Sequence, residues 1–286
     1  MLKKHQILIF DLDVYLCAKL NSVEKQTAFK NGKINYTIEG NGSAVVLLHG
    51  FLEDLGMWAN FSKLLSAKYK VIAIDLPGFG KSSVFDKTHQ LHFMADAVHA
   101  VLENEQVENC IMTGHSMGGY VTLAFAEKYA KKLRGLVLFH SQAAADNKEA
   151  KTNRDRTIEI VRGNHASFIH AFIPSLFAEA NVEKFAGEIK VLEAVSLSTS
   201  IDGITAALAG MRDRHDSTGL LKKLDCPVFF IIGKKDSKID LNTVVKQLSL
   251  PKNCEALILE DVGHMGFIEA ENITYLALEH FIERNS

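Results

Sequence analysis

Asn109-Cys-Ile-Met-Thr-Gly-His-Ser-Met-Gly-Gly119 is the stretch that decides how the rest of this chain is read. An apolar run leads into Gly114-x-Ser116-x-Gly118, and a segment of helical period begins at Tyr120. The five-residue pattern alone says little: at average Gly and Ser usage near 7%, about one chain of this length in ten carries it by chance. A strand directly before it and a helix directly after it give it chemical meaning. A sharp strand-to-helix turn holds the serine in a strained conformation, with Oγ above the sheet. Gly114 and Gly118 allow backbone to approach where a Cβ would clash, and the helix start turns N–H groups and a positive dipole end toward the reacting atoms.

A serine hydroxyl needs a base, and the base needs an orienting acid. In a strand–turn–helix site of this kind the order along the chain is Ser, acid, His. His264 lies in Asp261-Val-Gly-His-Met-Gly266, after the last apolar run and before a closing helical pattern. Asp236 follows Phe229-Phe-Ile-Ile-Gly-Lys-Lys, immediately past another strand end. Asp240 competes for the acid role; Asp236 is preferred because it stands closer to the strand end and the Gly233 turn. The expected catalytic set is therefore Ser116, Asp236 and His264.

Acyl transfer also needs donors where the oxyanion develops. The Met117 N–H, next to the nucleophile, is one. Val45-Val-Leu-Leu-His-Gly-Phe51 ends an apolar strand in His-Gly, which makes the Phe51 N–H the second. The other histidines take structural assignments first: His49 and His115 flank the site but belong to turn motifs, and His140 ends a strand, where core or rim packing is preferred over lining the pocket. No HExxH motif or Cys/His cluster occurs, so neither a metal nor another cofactor is implied.

Outward from the elbow, candidate strands lie at 33–39, 44–49, 70–75, 109–114, 135–140, 227–233 and 255–260. Most are continuous Val/Ile/Leu runs, as expected for strands covered on both faces. Helical patterns separate them. One carries Met94, Val98, Val101 and Leu102 on a single face with Thr88 as a candidate cap; others span 118–133 and 272–284. Alternating strands and helices predict an α/β fold with a doubly wound, mostly parallel sheet. The alternation stops between 142 and 221, where helical segments are predicted at 156–161, 166–177, 182–195 and 204–211. The expected organisation is an N-terminal extension (1–27), a core made of 28–141 and 222–286, and an inserted helical cap or lid (142–221). Within the cap, Phe168, Phe172, Phe177, Phe185 and Met211 supply apolar surface, either as packing or as pocket wall. Residues 211–216 read most simply as a solvated helix end with local ion pairs, the alternative being an Arg that grips a substrate carboxylate.

At 286 residues and 47% hydrophobic, the chain can bury a large core, and a formal charge of −2 gives no basis for a nucleic-acid partner. The scattered cysteines Cys17, Cys110, Cys226 and Cys254 contain no CxxC pair and read as free thiols of a reducing compartment. No apolar run approaches the roughly 20 residues that span a bilayer, and Asp11 and Asp13 interrupt the N-terminal apolar stretch before it makes a signal peptide. The expectation is a cytoplasmic protein acting on a small-molecule substrate, with monomer and homodimer equally open.

The motifs together resemble the α/β-hydrolase superfamily, in its branch of capped esterases and C–C hydrolases. The matching pieces are LLHGF at 47–51, Trp58, DLPGFGKS at 75–82, GHSMGG at 114–119, GKKD at 233–236 and GHMGFIEAEN at 263–272, in family order from about Phe29 onward. The resemblance implies Ser116, Asp236 and His264 as triad, Phe51 and Met117 as oxyanion hole, and Asp75 as a structural loop residue. A serine at the elbow separates the chain from haloalkane dehalogenases and epoxide hydrolases, which need a carboxylate nucleophile. Hydrolysis of a carboxylic ester bearing an apolar group is the first expectation; acyl transfer, C–C cleavage and slow-turnover ligand sensing stay open. Ile7-Leu-Ile-Phe-Asp11-Leu-Asp13 resembles the strand end of haloacid-dehalogenase-type phosphatases, a reading that would discard the elbow and the ordered triad.

Overall fold

The computed structural model of the chain describes residues 22–286. Asp11 and Asp13, with the rest of residues 1–21, lie outside the described residues. Eight strands form one sheet: β1 (Val23–Phe29), β2 (Gly32–Glu39), β3 (Ala44–Leu48), β4 (Lys70–Ile74), β5 (Cys110–His115), β6 (Leu133–Phe139), β7 (Val228–Gly233) and β8 (Cys254–Leu259), in spatial order β1-β2-β4-β3-β5-β6-β7-β8. The pairs β1–β2 and β2–β4 are antiparallel, and every later pair is parallel. The α/β class and the mostly parallel sheet are thus as expected.

All seven expected strands are present within two residues at either end. The sheet starts earlier than the sequence suggests: β1 occupies residues placed mostly in the N-terminal extension. Its run Val-Glu-Lys-Gln-Thr-Ala-Phe is largely exposed and polar, as an edge strand tends to be, and lacks the apolar continuity that marks the central strands. Among the interior strands, β3, β5 and β7 are buried along their whole lengths because helices cover both faces.

The helices are α1 (Ala59–Leu65), α2 (Leu91–Asn104), α3 (Met117–Tyr129), α4 (Lys148–Phe172), α5 (Ala186–Ser198), α6 (Ile201–Arg212), α7 (Thr218–Leu221), α8 (Leu241–Val245), α9 (Gly266–Glu269) and α10 (Glu271–Asn285). The apolar face of α2 buries Met94, Val98, Val101 and Leu102, and its N-cap is Gln90 rather than Thr88. Helices α4 to α7 fall between β6 and β7, in the stretch where the alternation of strand and helix stops. The two helical segments expected at 156–161 and 166–177 both fall in α4, which the non-helical Asn164 (φ −157°, ψ 85°) divides into two helices, the second ending at Phe172. The Asn164 side chain accepts from the Ser167 N–H at 3.0 Å and so caps the second half. Among the described residues no single helix is long and apolar enough to cross a membrane.

Candidate active site

Ser116 stands between β5 and α3 with φ 50° and ψ −113°, a left-handed conformation for a residue with a Cβ. The turn is held from both sides: the Ser116 N–H donates to the Phe139 carbonyl at 2.9 Å, and the Ser141 hydroxyl donates to the Ser116 carbonyl at 2.8 Å. The two flanking glycines are required by close approach. A Cβ on Gly114 would lie 2.2 Å from the Gly118 carbonyl oxygen, and one on Gly118 would lie 2.5 Å from that of Leu48.

His264 and Asp236 meet although 28 residues separate them. His264 Nδ1 lies 2.7 Å from Asp236 Oδ2, and Asp236 Oδ1 accepts the N–H groups of Lys238 and Ile239 at 2.8 and 2.9 Å. With an ionised carboxylate at Nδ1, the imidazole carries its proton there and leaves Nε2 as acceptor. Burial alone would raise the Asp236 pKa; electrostatic attraction to His264 and the hydrogen bonds from His140 and His264 outweigh it and hold the carboxyl far below the ordinary range. Asp240 is elsewhere: its carboxylate accepts from the Thr243 N–H at 2.8 Å and caps α8. Asp75 is a loop anchor, accepting from Asn35, Leu55 and Lys81.

Ser116 and His264 line one pocket of about 420 Å³, with Phe51, Tyr120, Phe168, Phe172, Leu176, Leu208, Met211 and Ile239 as its main apolar wall. Of the apolar residues singled out in the inserted segment, Phe168, Phe172 and Met211 face the pocket. Phe177 and Phe185 pack on each other with ring centroids 6.0 Å apart. The insertion is tied to the loop carrying His264, whose N–H donates to the Leu176 carbonyl at 2.7 Å.

The His-Gly-Phe loop is more tightly built than its sequence indicates. His49 is fully buried, with Nδ1 2.7 Å from the Gly50 carbonyl oxygen and Nε2 accepting the Leu76 N–H at 2.9 Å. Burial lowers its pKa and keeps it neutral. Because the peptide is planar and trans, fixing the Gly50 C=O turns the Phe51 N–H the opposite way. The N–H groups of Phe51 and Met117 have no acceptor among the described residues.

Three residues with larger parts in this architecture were read from the sequence as structural or not singled out at all. Glu53 is 2% exposed and accepts from both the Gly50 N–H (2.6 Å) and His115 Nδ1 (2.9 Å). His115 Nε2 lies 3.0 Å from the His264 carbonyl oxygen. Both ring nitrogens of His115 therefore face acceptors, which only the imidazolium satisfies. Burial pulls the His115 pKa down, but the Glu53 charge and hydrogen bond carry it above the ordinary value; Glu53 is correspondingly held low against its own desolvation. One buried ion pair thus joins the Phe51 loop, the serine elbow and the His264 loop. His140, in a left-handed conformation (φ 47°), brings Nδ1 within 3.2 Å of the same Asp236 oxygen that His264 uses. Burial drives its pKa to about 4, so it is a neutral donor. His140, Asp236 and His264 offer donor atoms within 4.8 Å of one another, the spacing of a metal site. The Nδ1 atoms are already engaged with the shared carboxylate oxygen, so hydrogen bonding accounts for the grouping.

The charged run 211–216 is a solvated helix end only in part. Arg212 pairs with Asp155 and Asp213 as expected, whereas Arg214 is buried against Asp146 and the Tyr120 ring. Arg214 lies two residues past the end of α6, its N–H donating to the Met211 carbonyl.

A strained serine between strand and helix, and a carboxylate-held histidine on the same pocket, define a class of catalyst rather than a fold alone. The family model for the alpha/beta hydrolase fold matches residues 43–271, and the chain belongs to that family. It is an α/β-hydrolase enzyme. A thermophilic esterase from Thermogutta terrifontis, solved with malate bound, superposes with a TM-score of 0.86 at 31% identity, covering 93% of this chain and all of that one. A pimeloyl-[acyl-carrier protein] methyl ester esterase of Pseudoalteromonas atlantica is 26% identical over 242 residues, 80% of this chain and 90% of its own. A dihydrolipoyllysine-residue acetyltransferase component of an acetoin cleaving system from Pseudomonas putida is 28% identical over 242 residues, and the chain spans 60% of that relative's length.

Proposed function

We propose that the chain is a carboxylic-ester hydrolase that works through an acyl-enzyme on Ser116. The observation that carries this reading is the meeting, on one pocket, of a serine in a left-handed elbow and a histidine whose Nδ1 is held 2.7 Å from a buried carboxylate. His264 Nε2 takes the Ser116 proton as Oγ attacks the ester carbonyl. The Phe51 and Met117 N–H groups receive the oxyanion, and the imidazolium, stabilised by Asp236, returns the proton to the departing alcohol. Water then enters by the same route and releases the acid. Residues 142–221 act as the cap over this centre, and their aromatic side chains select a small to medium ester with an apolar group.

The test is release of p-nitrophenol from short and medium acyl esters. Sustained turnover by the wild type, lost in Ser116→Ala, supports hydrolysis. A single stoichiometric burst points to a ligand sensor, and acceleration by an added alcohol or amine points to acyl transfer.

A further inference from the structure

The pocket has a charged end that the hydrolytic chemistry leaves unused. Arg154, on the first half of α4, lines the same pocket as Ser116. Its Nε donates to Asp146, and Nη1 lies 3.6 Å from the Met211 sulfur. Asp146 is itself nearly buried, its side chain 7% exposed, and its other oxygen is taken by Arg214 Nη1 at 2.5 Å. Arg214 also donates to the Met211 and Ala144 carbonyls and stacks 4.1 Å from the Tyr120 ring centre, so it is locked behind the wall. A single carboxylate therefore serves two guanidiniums, neither of which can lose its proton. Arg154 is the one that reaches the pocket, and its Nη2 has no partner among the described residues. The other charges on the wall do not compensate it: Glu53 is spent on His115, and Lys238 adds a second cation, bonded to the Ser175 hydroxyl over the Phe172 ring.

We infer that Arg154 forms an anion subsite of this pocket, and that the preferred substrate is an ester carrying a second, ionised carboxylate, with an apolar segment spanning the aromatic wall between the two groups. This rests on the hydrolase reading above and names the substrate class within it. A planar guanidinium with a free edge matches a carboxylate, and a charge-assisted bond in a half-buried setting favours the anionic ester by about 10- to 100-fold in kcat/KM.

The experiment compares methyl hydrogen adipate with methyl heptanoate, an uncharged ester of similar length, by pH-stat on the wild type, Arg154→Met, Arg154→Lys and Lys238→Met. The expected result is a wild-type preference of at least about tenfold for the half-ester, a ratio near one in Arg154→Met and an intermediate ratio in Arg154→Lys. A wild-type ratio near one overturns the subsite whether or not any variant folds. So does a preference that survives Arg154→Met but disappears in Lys238→Met. Calorimetry of methyl hydrogen adipate on Ser116→Ala, with and without Arg154→Met, separates this inference from the reaction class. If the wild type cleaves neither ester, hydrolysis fails as a reading; binding that requires Arg154 still supports the subsite, and binding that ignores it overturns it.

Discussion

Glu53→Gln removes one charge from the buried ion pair that joins the loops of Phe51, Ser116 and His264, and the hydrogen-bond arithmetic fixes the outcome. In the wild type Glu53 Oε2 alone accepts from the Gly50 N–H and from His115 Nδ1, while His115 Nε2 faces the His264 carbonyl oxygen. A glutamine oxygen in that position still accepts from Gly50 but leaves the imidazolium, 1% exposed, without a counter-ion. Flipping the amide gives His115 a donor and strips the Gly50 N–H of its acceptor. Breaking a buried pair from one side costs about 3–5 kcal/mol, a large share of the roughly 5–15 kcal/mol that holds a domain together.

The loss depends on pH in a defined direction. The folded Glu53 pKa lies below its ordinary 4.5, so its contribution is present above that value and fades as pH falls through the lower, folded one. The folded His115 pKa lies above its ordinary 6.5, so its contribution is full below 6.5 and fades as pH rises through the higher, folded one. The difference between wild type and Glu53→Gln is therefore greatest between 4.5 and 6.5. Urea unfolding of both proteins at about pH 5.5 and about pH 9 measures it. A loss below about 1 kcal/mol at the lower pH, or one equal at both, refutes the reasoning.

Four further substitutions test other parts of the site. Asp236→Asn should lower kcat by about 10⁴ through the wrong His264 tautomer, while Asp240→Ala, which removes only the α8 cap, should stay within about twofold of wild type and lose about 1 kcal/mol of stability; steady-state kinetics and melting curves distinguish the two. His49→Phe frees the Gly50 carbonyl and with it the Phe51 peptide, so kcat should fall by about 10²–10³ with a much smaller change in KM. Gly266→Ala places a Cβ 2.3 Å from His140 Nε2 and should destabilise the fold by about 1–3 kcal/mol while displacing Asp236. Thermal melting and kcat should fall together there, and a fully active, unshifted variant would show that the His140–Asp236 contact has slack.

The elbow, the chain order of the candidate triad Ser116, Asp236 and His264, and the central strands are legible in the primary structure because each rests on local physics. Continuous apolar runs of strand length, glycines two positions either side of a serine, and a strand end just before each polar residue are relations among close neighbours. Edge strand β1 escaped because exposed, charged residues carry no burial pattern. The ion pair of Glu53 with His115 joins residues 62 apart, His140 reaches Asp236 across 96, and Arg214 meets Asp146 across 68. No spacing rule announces such partners. They are chosen when the sheet and its insertion close and water leaves, since a charge stripped of solvent must find its opposite inside the protein.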